Sequence, residues 1–224
     1  MSAIILSPYN DNIPEFVRKA QRLVMESKTD IDFVQFRTDA THAETLDHLI
    51  DTVTDDVIVF MDIDCIVLNS NIIPTVIEHA RNGYLVGNAQ SSSHIGDGSH
   101  VFVAPSFMAI SRDTWAKMGC PSFAPTHRSD VGEELTWCAE QHDIPLMFLR
   151  PVHFEKSPVP VQLPDGRVSN PICWMTGGLP YGLSTTFSLD GQIDTFHSFQ
   201  SSLAQTDRFV SKCAEVLNGI VRFG

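Results

Sequence analysis

The sequence predicts an α/β fold in which a largely parallel β-sheet is covered by helices. In the first half of the chain, short apolar runs alternate with segments of helical periodicity, which is typical of such a sheet. The run Val57–Met61 is apolar at every position, as expected for a central strand that is buried on both faces. With 224 residues, the chain can bury one substantial core, so we expect a single domain.

Two residue pairs that resemble capping boxes predict where the first helices begin. Asn12 with Glu15 is the first pair and Thr41 with Glu44 is the second. In such a box each side chain bonds the other residue's backbone N–H, which satisfies donors that the helix leaves free. The apolar stripe of the first helix is predicted to comprise Phe16, Ala20, Leu23 and Val24. The strands predicted around these helices are residues 3–6, 33–37 and 57–61.

The second half predicts further elements with less regular alternation. We expect strands over residues 84–87, 107–110 and 146–149, and helices over 74–82, 112–118 and 132–142. A C-terminal helix is predicted to bury a face that comprises Phe209, Cys213, Val216, Leu217 and Ile220. Residues 151–194 are interrupted by prolines and show no period, so they predict a long functional loop or lid. This segment holds a candidate acceptor platform, Trp174, and a candidate phosphate loop, residues 176–178.

The composition of the chain argues against some classes of binding partner and favours one kind of cellular compartment. The formal net charge of -12 argues against binding nucleic acid or an anionic membrane, and a bound diphosphate would need an added cation. The five cysteines form no C-x-x-C pair, which excludes a zinc ribbon or thioredoxin motif and favours a reducing compartment. We find no signal peptide and no apolar run of the ~20 residues that a transmembrane helix needs. We therefore expect a soluble cytoplasmic protein of undetermined oligomeric state.

The strongest chemical signal is Asp62-Ile63-Asp64, directly after the apolar run. Ligands of open α/β sheets bind beyond the carboxyl ends of the strands, and a central strand delivers both carboxylates to that place. Two unpaired acids are costly to bury, and a hard divalent cation would compensate them. We therefore predict a metal site here. The alternative is a pair of solvated loop acids.

The apolar strand with its Asp-x-Asp ending resembles the sugar-nucleotide and manganese signature of glycosyltransferases with the GT-A fold. Asp39, just past the second strand, resembles an acid that this family uses for the base or ribose. The turn after the first strand resembles the family segment that packs against the nucleotide base, and it comprises Ser7, Pro8, Tyr9 and Asn10. Tyr9 would stack on the base or plug the core. His42, in the first turn of the second helix, is a candidate to face the same pocket.

Later motifs follow in the family's order, so the resemblance covers roughly residues 3–200. Residues 107–112 resemble the segment beneath the donor sugar, and residues 132–135 resemble the acidic pair that opens the helix of the catalytic base. Phe196-His197-Ser198 resembles the late histidine that joins the metal or diphosphate. The implied fold is a GT-A type (Rossmann-like) open, twisted, mostly parallel sheet with helices on both faces.

The resemblance implies a metal-dependent hexosyltransferase that moves a sugar from a nucleotide diphosphate sugar, UDP-sugar favoured, to a hydroxyl of a glycan or other acceptor. Its cofactor would be Mn²⁺ or Mg²⁺, with metal ligands Asp62, Asp64 and His197. The implied nucleotide-binding residues are Ser7, Pro8, Tyr9, Asn10, Asp39, Asp62 and Ile63. Within a single domain of residues 1–224, the implied parts are a nucleotide-binding half (1–88), a donor-sugar and acceptor half (100–200) and a C-terminal helix (205–224).

The acids near the start of the predicted helix 132–142 are the candidate catalytic residues. An inverting transfer needs a carboxylate that takes the proton of the attacking hydroxyl, and a helix N-terminus keeps such a carboxylate ionised and oriented. Position in the motif favours Glu134 as this base, with Glu133 or Asp130 binding acceptor or donor hydroxyls. These acids could also do no more than complement the helix dipole.

Two other classes of function stay open on the sequence. Haloacid-dehalogenase phosphatases also place Asp-x-Asp after an apolar strand, with the first Asp as nucleophile. Here that motif begins only at residue 62, position 66 is Ile, and Lys117, Lys156 and Lys212 lie in unsuitable settings. A non-catalytic nucleotide-sugar-binding domain is the second alternative, against which the joint presence of Glu133, Glu134 and His197 argues.

Overall fold

The computed structural model describes residues 2–92, 100–155, 179–180, 182, 184–198 and 206–220, and the backbone of 161–162 and 168–169. The strands are β1 (Ala3–Tyr9), β2 (Asp32–Arg37), β3 (Val57–Met61), β4 (Cys65–Val67), β5 (Leu85–Ser91), β6 (Val101–Ser111), β7 (Leu146–Glu155), β8 (Val161–Gln162), β9 (Val168–Ser169), β10 (Ser184–Ser188) and β11 (Thr195–Ser198). The helices are α1 (Glu15–Lys28), α2 (His42–Thr52), α3 (Ile72–Arg81), α4 (Arg112–Lys117), α5 (Glu133–Gln141) and α6 (Thr206–Leu217).

Nine of these strands form one sheet in the order β2-β1-β3-β6-β5-β7-β10-β11-β4, while β8 and β9 form a separate two-stranded sheet. The predicted α/β class is confirmed, but the sheet is mixed rather than mostly parallel. β1 runs parallel to β2 and β3, and β5 parallel to β7, whereas every other neighbouring pair is antiparallel. A parallel neighbour requires a crossover connection of about a dozen residues or more, and nine residues, 92–100, connect β5 to β6.

Strand β3 lies inside the sheet and is buried at all five positions, as its composition predicts. Val57, Val59 and Met61 belong to the core cluster that α3 covers. Ile58 and Phe60 belong to a second cluster on the other face, which α2 and α5 cover. Because successive side chains of a strand point to opposite faces, a strand with helical layers on both sides must be apolar throughout.

Of the two predicted capping boxes, only the one at α2 is present. There Thr41 Oγ1 accepts from the Glu44 backbone N–H, and the Glu44 carboxylate accepts from the Thr41 N–H. The Asn12 box is wrong, since α1 has Pro14 at its N-cap and no side-chain cap. The backbone N–H of Asn12 instead donates to Asn10 Oδ1, which closes a turn before the helix begins.

The buried face of α1 is also displaced from the predicted stripe. Phe16 and Leu23 are 51% and 54% exposed. The residues that face the interior are Val17, Gln21, Val24 and Met25. Their spacing of i, i+4, i+7 and i+8 is that of one helix face, with a glutamine in its middle.

Strands also occupy both ends of the segment 151–194, which we predicted to be a loop. β7 continues to Glu155, and β10 pairs with it in antiparallel register. Pro151 is accommodated where the register of that pairing shifts, a position that tolerates the missing N–H. Trp174 and residues 176–178 lie outside the described residues.

At the C-terminus, α6 buries Phe209, Cys213 and Val216 as predicted, against α1 and β11. Leu217 and Ile220, which were predicted on the same face, are exposed instead. No helix in the described part of the chain combines the length and apolar character needed to span a bilayer.

Gly87 provides a test of the sheet arrangement. It lies in β5 beside a register shift with β6, where an added Cβ would overlap the carbonyl oxygen of Phe107. We expect Gly87→Ala to lower the free energy of unfolding by about 3 kcal/mol, because backbone must move to admit the methyl group. Urea denaturation measures this value.

The matched control is Gly191→Ala, at a turn with φ +84° and open space around the added Cβ. Only backbone strain opposes that change, so we expect a cost of about 1 kcal/mol. Equal costs for the two variants would contradict the described pairing of β5 with β6.

Candidate functional site

The residues Asp62 to Asp64 form a turn that leaves the end of β3. The Cys65 N–H donates to the Asp62 carbonyl at 2.9 Å, which closes the turn. The Asp62 N–H donates to the Ser106 carbonyl of β6 at 3.0 Å, and the Ser198 N–H donates to the Asp64 carbonyl at 2.9 Å. The backbone that carries both carboxylates is therefore attached to β6 on one side and to β11 on the other.

His197 joins the two acids because β11 pairs with β4. The antiparallel register places His197 opposite Cys65, the residue after Asp64. Its Nε2 lies 3.5 Å from Asp62 Oδ2 and 3.2 Å from Asp64 Oδ1. Strands β4 and β11 are separated by more than a hundred residues of chain, so only the sheet brings these three side chains together.

Electrostatics shows how this cluster is balanced. Burial lowers the pKa of His197, but the charges and hydrogen bonds of Asp64 and Asp62 outweigh it and raise that pKa to about 10. Burial raises the pKa of Asp62, and the His197 hydrogen bond with the charges of His42 and His197 brings it below its ordinary value. Protonated His197 therefore offsets part of the negative charge of the two carboxylates, and a bound divalent cation would take the place of its proton.

The donor atoms of the cluster fit a divalent cation. One ligand atom from each of Asp62, Asp64 and His197 lies within 4.8 Å of the others. Carboxylate oxygens suit Mg²⁺ and Mn²⁺, and an imidazole nitrogen completes a set that either ion accepts. Within the ranges that the structure describes, no other group of three His, Cys, Asp or Glu side chains converges in this way.

The cluster opens into a cavity of about 530 Å³. It is lined by the end of β1, the start of α2, the part of β6 around Pro105 and the loop before α5. The predicted residues that line it are Pro8, Tyr9, Asn10, Asp62, Ile63, Asp64, Asp130 and His197. His42 lines it too, with Nε2 3.4 Å from Asp62 Oδ1.

Two residues predicted for nucleotide binding do not line this cavity. Ser7 is fully buried, and its hydroxyl donates to Gln21 Oε1 at 3.1 Å. Asp39 is exposed, and its carboxylate accepts hydrogen bonds from Arg37, which also binds Asp11.

The three candidate catalytic acids have different surroundings. Glu133 is fully buried: one carboxylate oxygen accepts from the Asp130 N–H at 2.8 Å and the other lies 2.7 Å from His100 Nδ1. The His100 ring stacks on Trp137 with centroids 3.7 Å apart, which fixes it in turn. Glu133 therefore supports the loop rather than facing the cavity.

Glu134 is paired with Arg128, whose Nε donates to its carboxylate at 3.2 Å. The hydrogen bond from Arg128 is the main cause of a lowered Glu134 pKa, which makes this carboxylate a weaker base. Of the three acids, only Asp130 lines the cavity. The acid that shares the cavity with the metal cluster is thus the one outside the helix.

Sequence reasoning missed several lining residues. Thr38 and Thr45 lie beside Tyr9, and Gln90, Phe102 and Ser106 come from β5 and β6. The signal that could have found Ser106 is Pro105, since proline inside a strand indicates a bulge. β5 skips residues 105–107 in its pairing with β6, and this bulge faces the cavity.

Comparisons with known proteins give no match to a protein-family profile or to a curated sequence. Similar solved structures include a galactosyltransferase LgtC with donor and acceptor sugar analogues, at 10% identity and a TM-score of 0.49 over 99% of this chain and 97% of that chain. A197 from STIV is similar at 13% identity and a TM-score of 0.44, over 75% of this chain and 93% of that one. A CMP:2-keto-3-deoxy-manno-octonic acid synthetase with CTP is similar at 10% identity and a TM-score of 0.38, over 65% and 88%.

Glycosyltransferases, the class that the sequence resembles, are therefore among the similar solved structures. At these identities the likenesses concern the fold alone.

The metal cluster is tested by titration with Mn²⁺ alone. We expect one Mn²⁺ per chain, and we expect Asp64→Asn to weaken binding at least about 100-fold, since a nearly buried carboxylate ligand is lost. Isothermal calorimetry measures both affinities. The control Asp51→Asn removes an exposed acid from α2 and should leave the affinity unchanged. Equal affinities for wild type and Asp64→Asn would contradict the site.

Proposed function

We propose that this protein is a metal-dependent glycosyltransferase that moves a sugar from a nucleotide diphosphate sugar, UDP-sugar favoured, to a hydroxyl of a glycan or another acceptor. The observation that carries the proposal is the cluster of Asp62, Asp64 and His197 inside a cavity of about 530 Å³. Tyr9 and Asp130 line the same cavity.

The nucleotide is proposed to occupy the side formed by residues 1–88. The half-buried ring of Tyr9 lines the cavity, and the Arg18 guanidinium lies 4.6 Å from the ring centroid. A base that stacks on Tyr9 would place its ribose near Thr38 and His42, whose side chains belong to the same wall. Asn10 lies at the rim, where its amide can bind polar edges of the base.

Asp62, Asp64 and His197 would hold Mn²⁺ or Mg²⁺. When bound, such an ion stabilises the negative charge that develops on the diphosphate leaving group. His42 lies next to Asp62 at the cavity wall, where its imidazole can donate a hydrogen bond to a phosphate oxygen. These residues can thus bind an anion only when a cation is also present. The net charge of -12 leads to the same expectation.

Asp130 is our proposed base for the acceptor hydroxyl, in the half formed by residues 100–200. Asp130 lines the same cavity as the metal cluster, and its backbone N–H is held by the buried carboxylate of Glu133. Glu134 and Glu133 are assigned supporting roles instead, because Arg128 pairs with the first and His100 with the second. Gln90 and Ser106 line the cavity as well and can bind hydroxyls of either sugar.

Product analysis tests the proposed class directly. Purified protein is incubated with UDP and GDP sugars and a panel of sugar acceptors, with Mn²⁺ or with EDTA, and products are read by mass spectrometry. We expect sugar transfer, or slow hydrolysis of one donor, that requires the metal and is lost in Asp64→Asn. Hydrolysis of phosphomonoesters with intact nucleotide sugars would contradict the proposal and favour a phosphatase.

The assignment of the base predicts different effects for two neighbouring acids. We expect Asp130→Asn to lower kcat by about 10²–10⁴-fold, with little change in the KM for the donor, because general-base catalysis contributes that much. Glu134→Gln is the matched control and should keep kcat within about tenfold. Steady-state kinetics measures both constants. A large loss of kcat in Glu134→Gln with an active Asp130→Asn would overturn the assignment.

A further inference from the structure

Gln21 is a fully buried amide on the inner face of α1, between Val17 and Met25. Its position does not follow from helix amphipathicity, because a glutamine is expected on the solvated side. Burying a primary amide is costly unless each of its polar atoms is hydrogen-bonded. The partners of this side chain therefore indicate why it is inside.

The Gln21 amide uses its full hydrogen-bonding capacity. Its Nε2 donates to the Asp62 carbonyl at 2.8 Å and to the Cys65 carbonyl at 2.9 Å. Its Oε1 accepts from the Ser7 hydroxyl at 3.1 Å and from Gln35 Nε2 at 3.0 Å. Two donors meet two carbonyl oxygens and one acceptor oxygen meets two donors, so this amide orientation is the one that satisfies every atom.

Gln21 binds the carbonyls at the two ends of the acidic turn, which runs from Asp62 to Cys65, the residue whose N–H closes it. The Asp62 carbonyl already accepts from the Cys65 N–H, and the Gln21 bond occupies its second lone pair. Both ends of the turn are thereby tied to one rigid point on α1, with Asp64 between them. The same amide bonds β1 through Ser7 and β2 through Gln35, so three neighbouring elements set its place.

We propose that Gln21 is a positioning residue that fixes the separation of the Asp62 and Asp64 carboxylates for cation binding. This inference rests on the proposed metal-dependent function. Gln21 does not line the cavity, and it acts through the backbone of the turn. Its role requires two N–H donors at one point, which neither glutamate nor methionine of the same length supplies.

The test is a Mn²⁺ titration of two Gln21 variants and one control. Gln21→Met keeps the length and removes all four bonds, and Gln21→Glu keeps an acceptor for Ser7 but sets carboxylate oxygens against the turn carbonyls. The control is Gln35→Met, which removes the bonds of Gln35 to Gln21 Oε1, the Arg18 carbonyl and the Arg22 guanidinium but none to the turn. Thermal unfolding is recorded for each protein, so that loss of stability and loss of metal affinity are compared separately.

We expect both Gln21 variants to bind Mn²⁺ about tenfold more weakly, which corresponds to about 1.4 kcal/mol. Gln35→Met should lose less affinity than either Gln21 variant even where its melting temperature falls, because Ser7 and the two turn carbonyls still hold the Gln21 amide. Added Mn²⁺ should also restore transfer activity in the Gln21 variants, because their defect is in metal affinity.

Unchanged affinity in a folded Gln21→Met or Gln21→Glu would overturn the inference, and so would an equal loss in Gln35→Met. A wild-type protein that binds no Mn²⁺ would contradict the proposed metal site and this inference together. Wild-type binding with unaffected Gln21 variants would instead leave the proposed function intact, so the two failures are distinguishable.

Discussion

The structure depends on how the negative charges of two carboxylates at the end of a buried strand are compensated. β3 is buried on both faces, and the turn that follows it holds the carboxylates of Asp62 and Asp64 close together. Like charges in such surroundings repel strongly, so a positive group or a cation has to be brought to them. In this chain His197 supplies the positive group, and it lies beside the acids only because β11 pairs with β4. The antiparallel strands β7-β10-β11-β4 therefore bring His197 to the two acids, which the parallel strands alone could not do.

The cavity around the cluster is arranged by the same need to compensate the two carboxylates. The parallel part of the sheet ends in Tyr9 and leads to His42 at the start of α2, while the β6 bulge and the loop before α5 supply Ser106 and Asp130. Aromatic and imidazole groups thus line one cavity together with hydroxyl and carboxylate groups and the acidic cluster. A nucleotide diphosphate sugar needs this combination of surfaces: an apolar face for the base, charge compensation for the phosphates and polar groups for the sugars.

Sequence reasoning succeeded where a local pattern has one physical solution. The uniformly apolar β3, the acids after it and the α2 capping box were predicted, because burial and capping act over a few residues. It failed where the answer depends on distant elements. Phe16 and Leu23 fit a helical stripe as well as the true inner face does, but the polar contacts that draw Gln21 inward come from β1, β2 and the acidic turn. Likewise, position near a helix start cannot tell which acid faces a cavity and which one pairs with Arg128 or His100.

The central claim is that Asp62, Asp64 and His197 bind a divalent cation in a cavity that also holds a nucleotide diphosphate. The most direct measurement is anomalous diffraction at the manganese edge from crystals grown with Mn²⁺ and UDP. We expect one strong peak within about 2.5 Å of the Asp64 carboxylate, a metal–oxygen bonding distance, with diphosphate density beside it and the base against Tyr9. A nucleotide bound elsewhere, or bound in this cavity without a manganese peak at the cluster, would contradict the account.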